Sequence, residues 1–192
     1  MVTVSSDSVI YVGKKDDMPI INPYALAGGG GGGDGGFVGV DSFVSLLLDD
    51  VSDITTGIAY TADVAHDVTG LRLYVPDAGA QNAAIWIKPS GGSYPGTPDE
   101  TISITAVADE WTAGTFSSPF AVGVGDEVTI GYYRLTKWQY EAIADTTFTP
   151  EFETVSTLIG TRYDTGDRTS GAVPASIDTN NIYGLVDITF TT

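Results

Sequence analysis

From residue 37 onward, apolar and polar positions alternate in short runs broken by turn residues. The alternation is clearest at Leu71-Arg-Leu-Tyr-Val75, where Leu71, Leu73 and Val75 share a face, and at Ile102-Ser-Ile104. Successive side chains of a strand point to opposite faces, so a period of two marks a half-buried strand. Runs at 37–40 and 43–48 lead in, and 56–62, 68–75, 83–88, 101–107, 112–116, 127–135, 157–163 and 182–191 each read as strands. Asp77-Ala-Gly79, Pro89-Ser-Gly-Gly92, Pro95-Gly96, Gly125-Asp126 and Thr165-Gly-Asp167 separate them as turns. No window of helical length keeps a 3.6-residue period. Many short strands with Gly/Pro turns and no interleaved helices predict an all-β fold, an antiparallel β-sandwich of jelly-roll-like type over residues 37–192.

The pattern is absent before residue 37. Residues 1–12 alternate only loosely, and Met18-Pro-Ile-Ile-Asn-Pro23-Tyr24 carries two prolines that disfavour helix. Residues 1–27 are too few for a core and read as an extended arm. A junction of Gly28, Gly29, Gly30, Gly31, Gly32, Gly33, Asp34, Gly35 and Gly36 follows. Such a run is either a flexible tether or an extended strand held where side chains would not fit. In the second case its backbone groups need partners, since it has no side chains to pack. Neighbouring copies supply them in a bundle, and a homotrimer is the expectation. The run is no phosphate-binding loop: the Gly-Lys-Ser/Thr ending is missing and no helix follows.

Charge narrows the partners. The 192 residues hold 25 Asp and Glu against 8 Lys and Arg, a formal charge of −17. Such a surface repels phosphate backbones and anionic lipid, so neither nucleic acid nor membrane insertion is expected. With no cysteine and one histidine, His66, thiolate or histidine metal sites and a Ser-His-Asp triad are poor readings. The first ten residues lack the basic and apolar regions of a secretion signal.

Few residues suggest chemistry. Arg72 lies between two core-facing leucines, and Asp187 in a comparable strand is its expected partner in a structural ion pair. Trp138 and Tyr140, in Thr136-Lys-Trp-Gln-Tyr-Glu141, are expected in a loop or at a sheet margin, with Tyr94 a weaker companion. Aromatic rings there suit stacking on sugars, and equally suit plugging one end of a sandwich. Asp164 and Asp167, or Asp49, Asp50 and Asp53, offer oxygens of the kind Ca²⁺ takes, but without the EF-hand spacing. They read as solvated turn residues, and no cofactor is expected. Acidic pairs for glycoside hydrolysis are plentiful, yet nothing in the sequence brings two of them into one cleft.

Several motifs occur in a recognisable order: Ala59-Tyr-Thr61, Val68-Thr-Gly-Leu-Arg-Leu-Tyr74, Ile85-Trp86, Trp111-Thr-Ala-Gly-Thr-Phe-Ser-Ser-Pro119, Gly125-Asp-Glu-Val128, Gly131-Tyr-Tyr133 and Tyr183-Gly-Leu-Val-Asp-Ile-Thr-Phe190. Over residues 44–192 this resembles a β-sandwich family of unknown function. That family is found beside glycan-active modules in secreted bacterial proteins and in virion proteins of actinobacterial phages. It has no established catalytic residues. The resemblance, with no secretion signal in sight, implies a non-enzymatic accessory protein of a tailed-phage virion, assembled in the host cytoplasm. A minor tail protein is the leading expectation. Residues 1–36 would bind other virion proteins, and the sandwich would face outward and contact host-surface polysaccharide. A capsid decoration protein or head fibre is the alternative in that class, and a carbohydrate-binding module of a secreted protein the alternative outside it.

Overall fold

A computed structural model describes residues 47–49, 53–134, 138–142, 154–183 and 185–191. The arm, the glycine junction, the strand expected at 37–40 and the start of that expected at 43–48 lie outside the described residues. The strands are β1 (Leu47–Asp49), β2 (Ile54–Ala62), β3 (His66–Tyr74), β4 (Gly79–Lys88), β5 (Glu100–Ala106), β6 (Trp111–Val122), β7 (Glu127–Arg134), β8 (Trp138–Ala142), β9 (Ser156–Thr165), β10 (Ser176–Asp178), β11 (Asn181–Tyr183) and β12 (Leu185–Thr191).

A six-stranded sheet in the order β10-β9-β2-β7-β4-β5 packs against a three-stranded sheet β12-β3-β6, and β1-β8-β11 form a small third sheet. All the pairings between these strands are antiparallel. The orders β2-β7-β4-β5 and β12-β3-β6 are those of a jelly roll, with β9 and β10 added at one edge. The sandwich predicted from alternation is therefore present.

The strands form where the period of two holds. In β7, Val128, Ile130 and Tyr132 enter the core, while Glu127, Thr129, Gly131 and Tyr133 occupy the alternate positions. Facing them across the sandwich are Leu71 and Leu73 of β3 and Val186, Ile188 and Phe190 of β12. β4 departs from alternation: Ala83, Ala84, Ile85 and Trp86 are all buried, so this strand is covered on both faces.

Three expectations change in detail. The strand read at 112–116 runs on to Val122, with a register shift in its pairing between Val68 and Gly70 of β3. The strand read at 182–191 is two strands, β11 and β12, in different sheets. Trp138 and Tyr140 are not in a loop but in β8, the middle strand of the third sheet. There Tyr140 opposes both Leu47 and Tyr183. Thr136–Glu141 has no clean alternation, and its strand is decided by partners distant in sequence, which local pattern does not contain.

Candidate functional site

Gly57 and Gly131 oppose each other in β2 and β7, flanked by Ala59 and Ala84. A Cβ at Gly57 would lie 1.7 Å from the Ile130 carbonyl oxygen, so this position admits no side chain. The small residues lower the outer surface of the six-stranded sheet, and residues 166–174 cross it as a strap. Thr55 Oγ1 donates to the Gly166 carbonyl (2.8 Å) and accepts from the Arg168 amide (2.8 Å). Trp86 Nε1 donates to the Gly171 carbonyl at 3.0 Å, and Arg162 Nη1 to the Pro174 carbonyl at 3.1 Å. The Thr101 hydroxyl donates to the Thr169 carbonyl. Asp167 Oδ1 stiffens the strap itself by accepting from the Thr169 amide (2.8 Å) and hydroxyl (2.6 Å). These bonds explain why Trp86, on the outer face, is fully buried.

Tyr94 belongs to this arrangement. Its hydroxyl shares a 3.0 Å hydrogen bond with Thr129 Oγ1. Its ring lies 4.8 Å from the Arg162 guanidinium and 5.9 Å from Lys88 Nζ. Burial raises the Tyr94 phenol above its usual value, an effect that the Thr129 bond and the Arg162 charge oppose. The ring pins the β4–β5 loop to the sheet.

At one end of the sandwich the start of β4, the end of β7 and the beginning of the strap surround a cleft of about 400 Å³. Asp77, Gln81, Asn82, Tyr133, Arg134 and Asp167 supply its polar wall. Arg134 is only 2% exposed, and its Nη2 reaches Asp77 Oδ2 at 3.3 Å. The Tyr133 hydroxyl donates to Asp53 Oδ1 at 2.7 Å, and this bond is the main reason that its pKa is pushed up to about 12. Asp53 holds its place with φ 64°, a left-handed conformation that aspartate tolerates better than most residues. Carboxylates, amides, a phenol and a guanidinium around one concavity can exchange hydrogen bonds with a polyhydroxylated ligand.

The other candidates separate. Trp138 and Tyr140 are placed by backbone alone in β8, and Tyr94 lies elsewhere, on the outer face of the six-stranded sheet. The eight junction glycines, with Asp49's neighbour Asp50, lie outside the described residues. Asp164 accepts from the Thr165 amide (2.9 Å) and pairs with Arg168 (2.9 Å). Asp53 and Asp167 are engaged as described. Among the described residues no cluster of three or more His, Asp or Glu is arranged to hold a metal ion. Arg72 meets Asp187 as anticipated, with Nε and Nη2 both donating to Oδ2, at 2.9 and 2.6 Å.

Reading the sequence alone missed the strap and the cleft. A signal for the strap existed: Gly57, Ala59, Ala84 and Gly131 are small residues on one face of neighbouring strands, which implies something passing close above them. The cleft had none, because Asp77, Arg134 and Asp167 come from three separate turns and strand ends. Comparison with known protein families and with curated proteins finds no match to this chain.

Proposed function

We propose that this chain is a non-enzymatic accessory structural protein of a tailed-phage virion. In this reading it is a minor tail protein that attaches to other virion proteins through residues 1–36 and displays its sandwich outward. The observation that carries the reading is how the fold spends its buried and half-buried polar groups. Thr55, Trp86, Thr101 and Arg162 are tied to strap backbone, and Arg72 to Asp187. Side chains committed to holding loops and strands suit a display module, and the charge of −17 suits a solvent-facing one. The resemblance described above supplies the virion setting, a likeness of fold type and not of chemistry.

Purified particles test it. The protein should copurify with them, and deletion of residues 1–27 should abolish incorporation while the circular dichroism of the sandwich persists. Incorporation of the truncated chain removes the anchor, and absence of the full chain from particles removes the virion assignment. Imaging of labelled protein on the particle separates tail from capsid.

The cleft favours a second reading on the same scaffold, contact with a polysaccharide. Its ring of hydrogen-bonding groups matches the hydroxyls of a sugar better than an apolar or anionic ligand. Retardation in polysaccharide-containing gels, weakened by Asn82→Ala, is the expected result. Mobility unchanged across host-derived polysaccharides discards this reading and leaves the structural one standing.

A further inference from the structure

The cleft beside Arg134 holds more negative charge than its own contacts use. Asp77 and Asp167 line it, and Asp53 accepts from the hydroxyl of Tyr133, another lining residue. Arg134 is the cation of the lining, and its Nη2 is turned to Asp77 Oδ2 at 3.3 Å. Arg168, which follows Asp167 in the strap, pairs with Asp164. Asp77, Asp167 and Asp53 thus stand against Arg134, three carboxylates to one guanidinium. Among the described residues, Asp77 accepts through Oδ2 and Asp167 through Oδ1, and the second oxygen of each takes no hydrogen bond. Both aspartates are exposed, the Asp77 side chain by 61%. Tyr133 registers the same charge: its bond to Asp53 raises the phenol most, and the charges of Asp53 and Asp167 add to it.

Uncharged groups continue the wall. Asn82 is exposed and Gln81 half-buried, and both amides line the cleft. The pairing of β4 with β5 sets Ser103 opposite Asn82 and Thr105 opposite Ala80, another lining residue. Directly opposed residues share a face of the sheet, and Ser103 and Thr105 are exposed. The cleft therefore adjoins a strip of hydroxyls on β5. Amides and hydroxyls in a row suit the hydroxyls of a sugar chain, and the carboxylates suit a cation. A uronate or a phosphorylated sugar would meet like charge.

We propose that the cleft takes the N-unsubstituted amino sugars of a cationic polysaccharide, holding their ammonium groups at the Asp77 and Asp167 carboxylates. The proposal rests on the polysaccharide reading of this cleft and adds the charge of the sugar to it. Asn82 and Gln81 then meet ring hydroxyls, and Ser103 and Thr105 the next part of the chain. N-acetylation removes the positive charge, so the same carboxylates lose water on binding and gain no countercharge. Selection works through what the cleft leaves unsatisfied when the wrong sugar enters.

Calorimetric titration of the full chain with glucosamine tetramer and with N-acetylglucosamine tetramer tests this. At pH ~6 and low salt the aspartates are ionised and exposed charges are little screened. The glucosamine tetramer should bind at least about tenfold more tightly. Asp77→Asn and Asp167→Asn should each weaken it about threefold, the order expected of one exposed ion pair, and leave the N-acetylated tetramer unchanged. Asparagine keeps the oxygen that Arg134 or Thr169 uses, so each variant removes charge and not the scaffold. Glu110→Gln removes the same charge at an exposed turn outside the cleft, and should leave the affinity unchanged. Equal affinity for the two tetramers, or a loss at Glu110→Gln as large as at Asp77→Asn, overturns the proposal and leaves the polysaccharide reading standing. Tetralysine binding as tightly as the glucosamine tetramer, with the same loss at Asp77→Asn, overturns it in favour of a basic peptide. If neither tetramer binds and host polysaccharides leave gel mobility unchanged, the polysaccharide reading falls and this proposal with it.

Discussion

Replacing Arg72 with alanine isolates the most consequential polar contact of the sandwich. Asp187 is directly opposite Arg72 in the β12–β3 register, with a side chain 0% exposed, while the Arg72 side chain is 18% exposed. Two donors reach a single carboxylate oxygen, Oδ2, and the other, Oδ1, accepts from the Ile188 amide. Arg72 also lies over the Trp111 ring, 4.6 Å from its centre. Arg72→Ala leaves a buried carboxylate without its countercharge, which costs about 3–5 kcal/mol. The lost cation–π contact adds about 0.5–2 kcal/mol. Domain stabilities run to about 5–15 kcal/mol, so this one change removes a large share of the total. The melting temperature should fall by roughly 7–28 °C, at about 2–4 °C per kcal/mol for a domain of this size.

The pair's own contribution is a separate quantity, because removing one partner measures mostly the penalty on the other. Arg72→Met with Asp187→Leu replaces both by apolar groups of similar volume, and should be near neutral or stabilising by about 1–4 kcal/mol. Arg72→Lys keeps the charge but loses the fork, and should fall between. Urea unfolding of the unaltered chain, Arg72→Met, Asp187→Leu and the double variant closes a double-mutant cycle. A loss under about 1 kcal/mol for Arg72→Ala, or a double variant as unstable as the summed singles, refutes the reasoning.

Three further outcomes follow from the geometry. Gly57→Ala should destabilise by the upper end of the ~1–3 kcal/mol typical of overpacking or beyond, since its Cβ meets the Ile130 carbonyl at 1.7 Å; an unfolding midpoint equal to that of the unaltered chain would contradict the close strand approach. Trp86→Phe removes the bond to Gly171 and about 1 kcal/mol with it, and should speed tryptic cleavage after Arg168 in the strap; an unchanged digestion pattern would mean that the strap is held without the indole. Burial pushes the phenols of Tyr60 and Tyr132 well above their usual value, and hydrogen bonding to Asp53 pushes Tyr133 up to about 12. Unfolded tyrosines ionise near pH ~10, so between that pH and the raised values the folded state binds more protons. Stability should therefore be unaffected by these groups below pH ~10 and fall as pH rises above it. Phenolate absorbance should show Tyr60 and Tyr132 ionising only with unfolding and the partly exposed Tyr133 ionising in the folded chain at about 12, and a single titration of all ten tyrosines near pH ~10 would sink the idea.

How much was legible in the sequence depended on how far each feature reaches along the chain. β7 and the middle of β3 were visible because a half-buried strand writes its two faces into alternate residues. The Arg72–Asp187 pair was legible for a related reason: a charge between core-facing leucines must find its opposite on a neighbouring strand. Trp138 and Tyr140 were misplaced because β8 exists through pairing with β1 and β11, about 90 and 40 residues away in order of pairing, and not through its own pattern. The Arg134 cleft was invisible, since its walls meet only after β4 and β7, about 50 residues apart, pair and the strap crosses their sheet.

The sequence by itself determined the class of the protein: an antiparallel sandwich from its alternation, and an acidic surface from its composition. Alternation and charge are local quantities, summed residue by residue. The tertiary structure alone decided the strand order, the strap that hides Trp86 and the pinning of Tyr94. Each of these depends on which strands become neighbours, and that follows from burying both sheets' apolar faces at once rather than from any one segment.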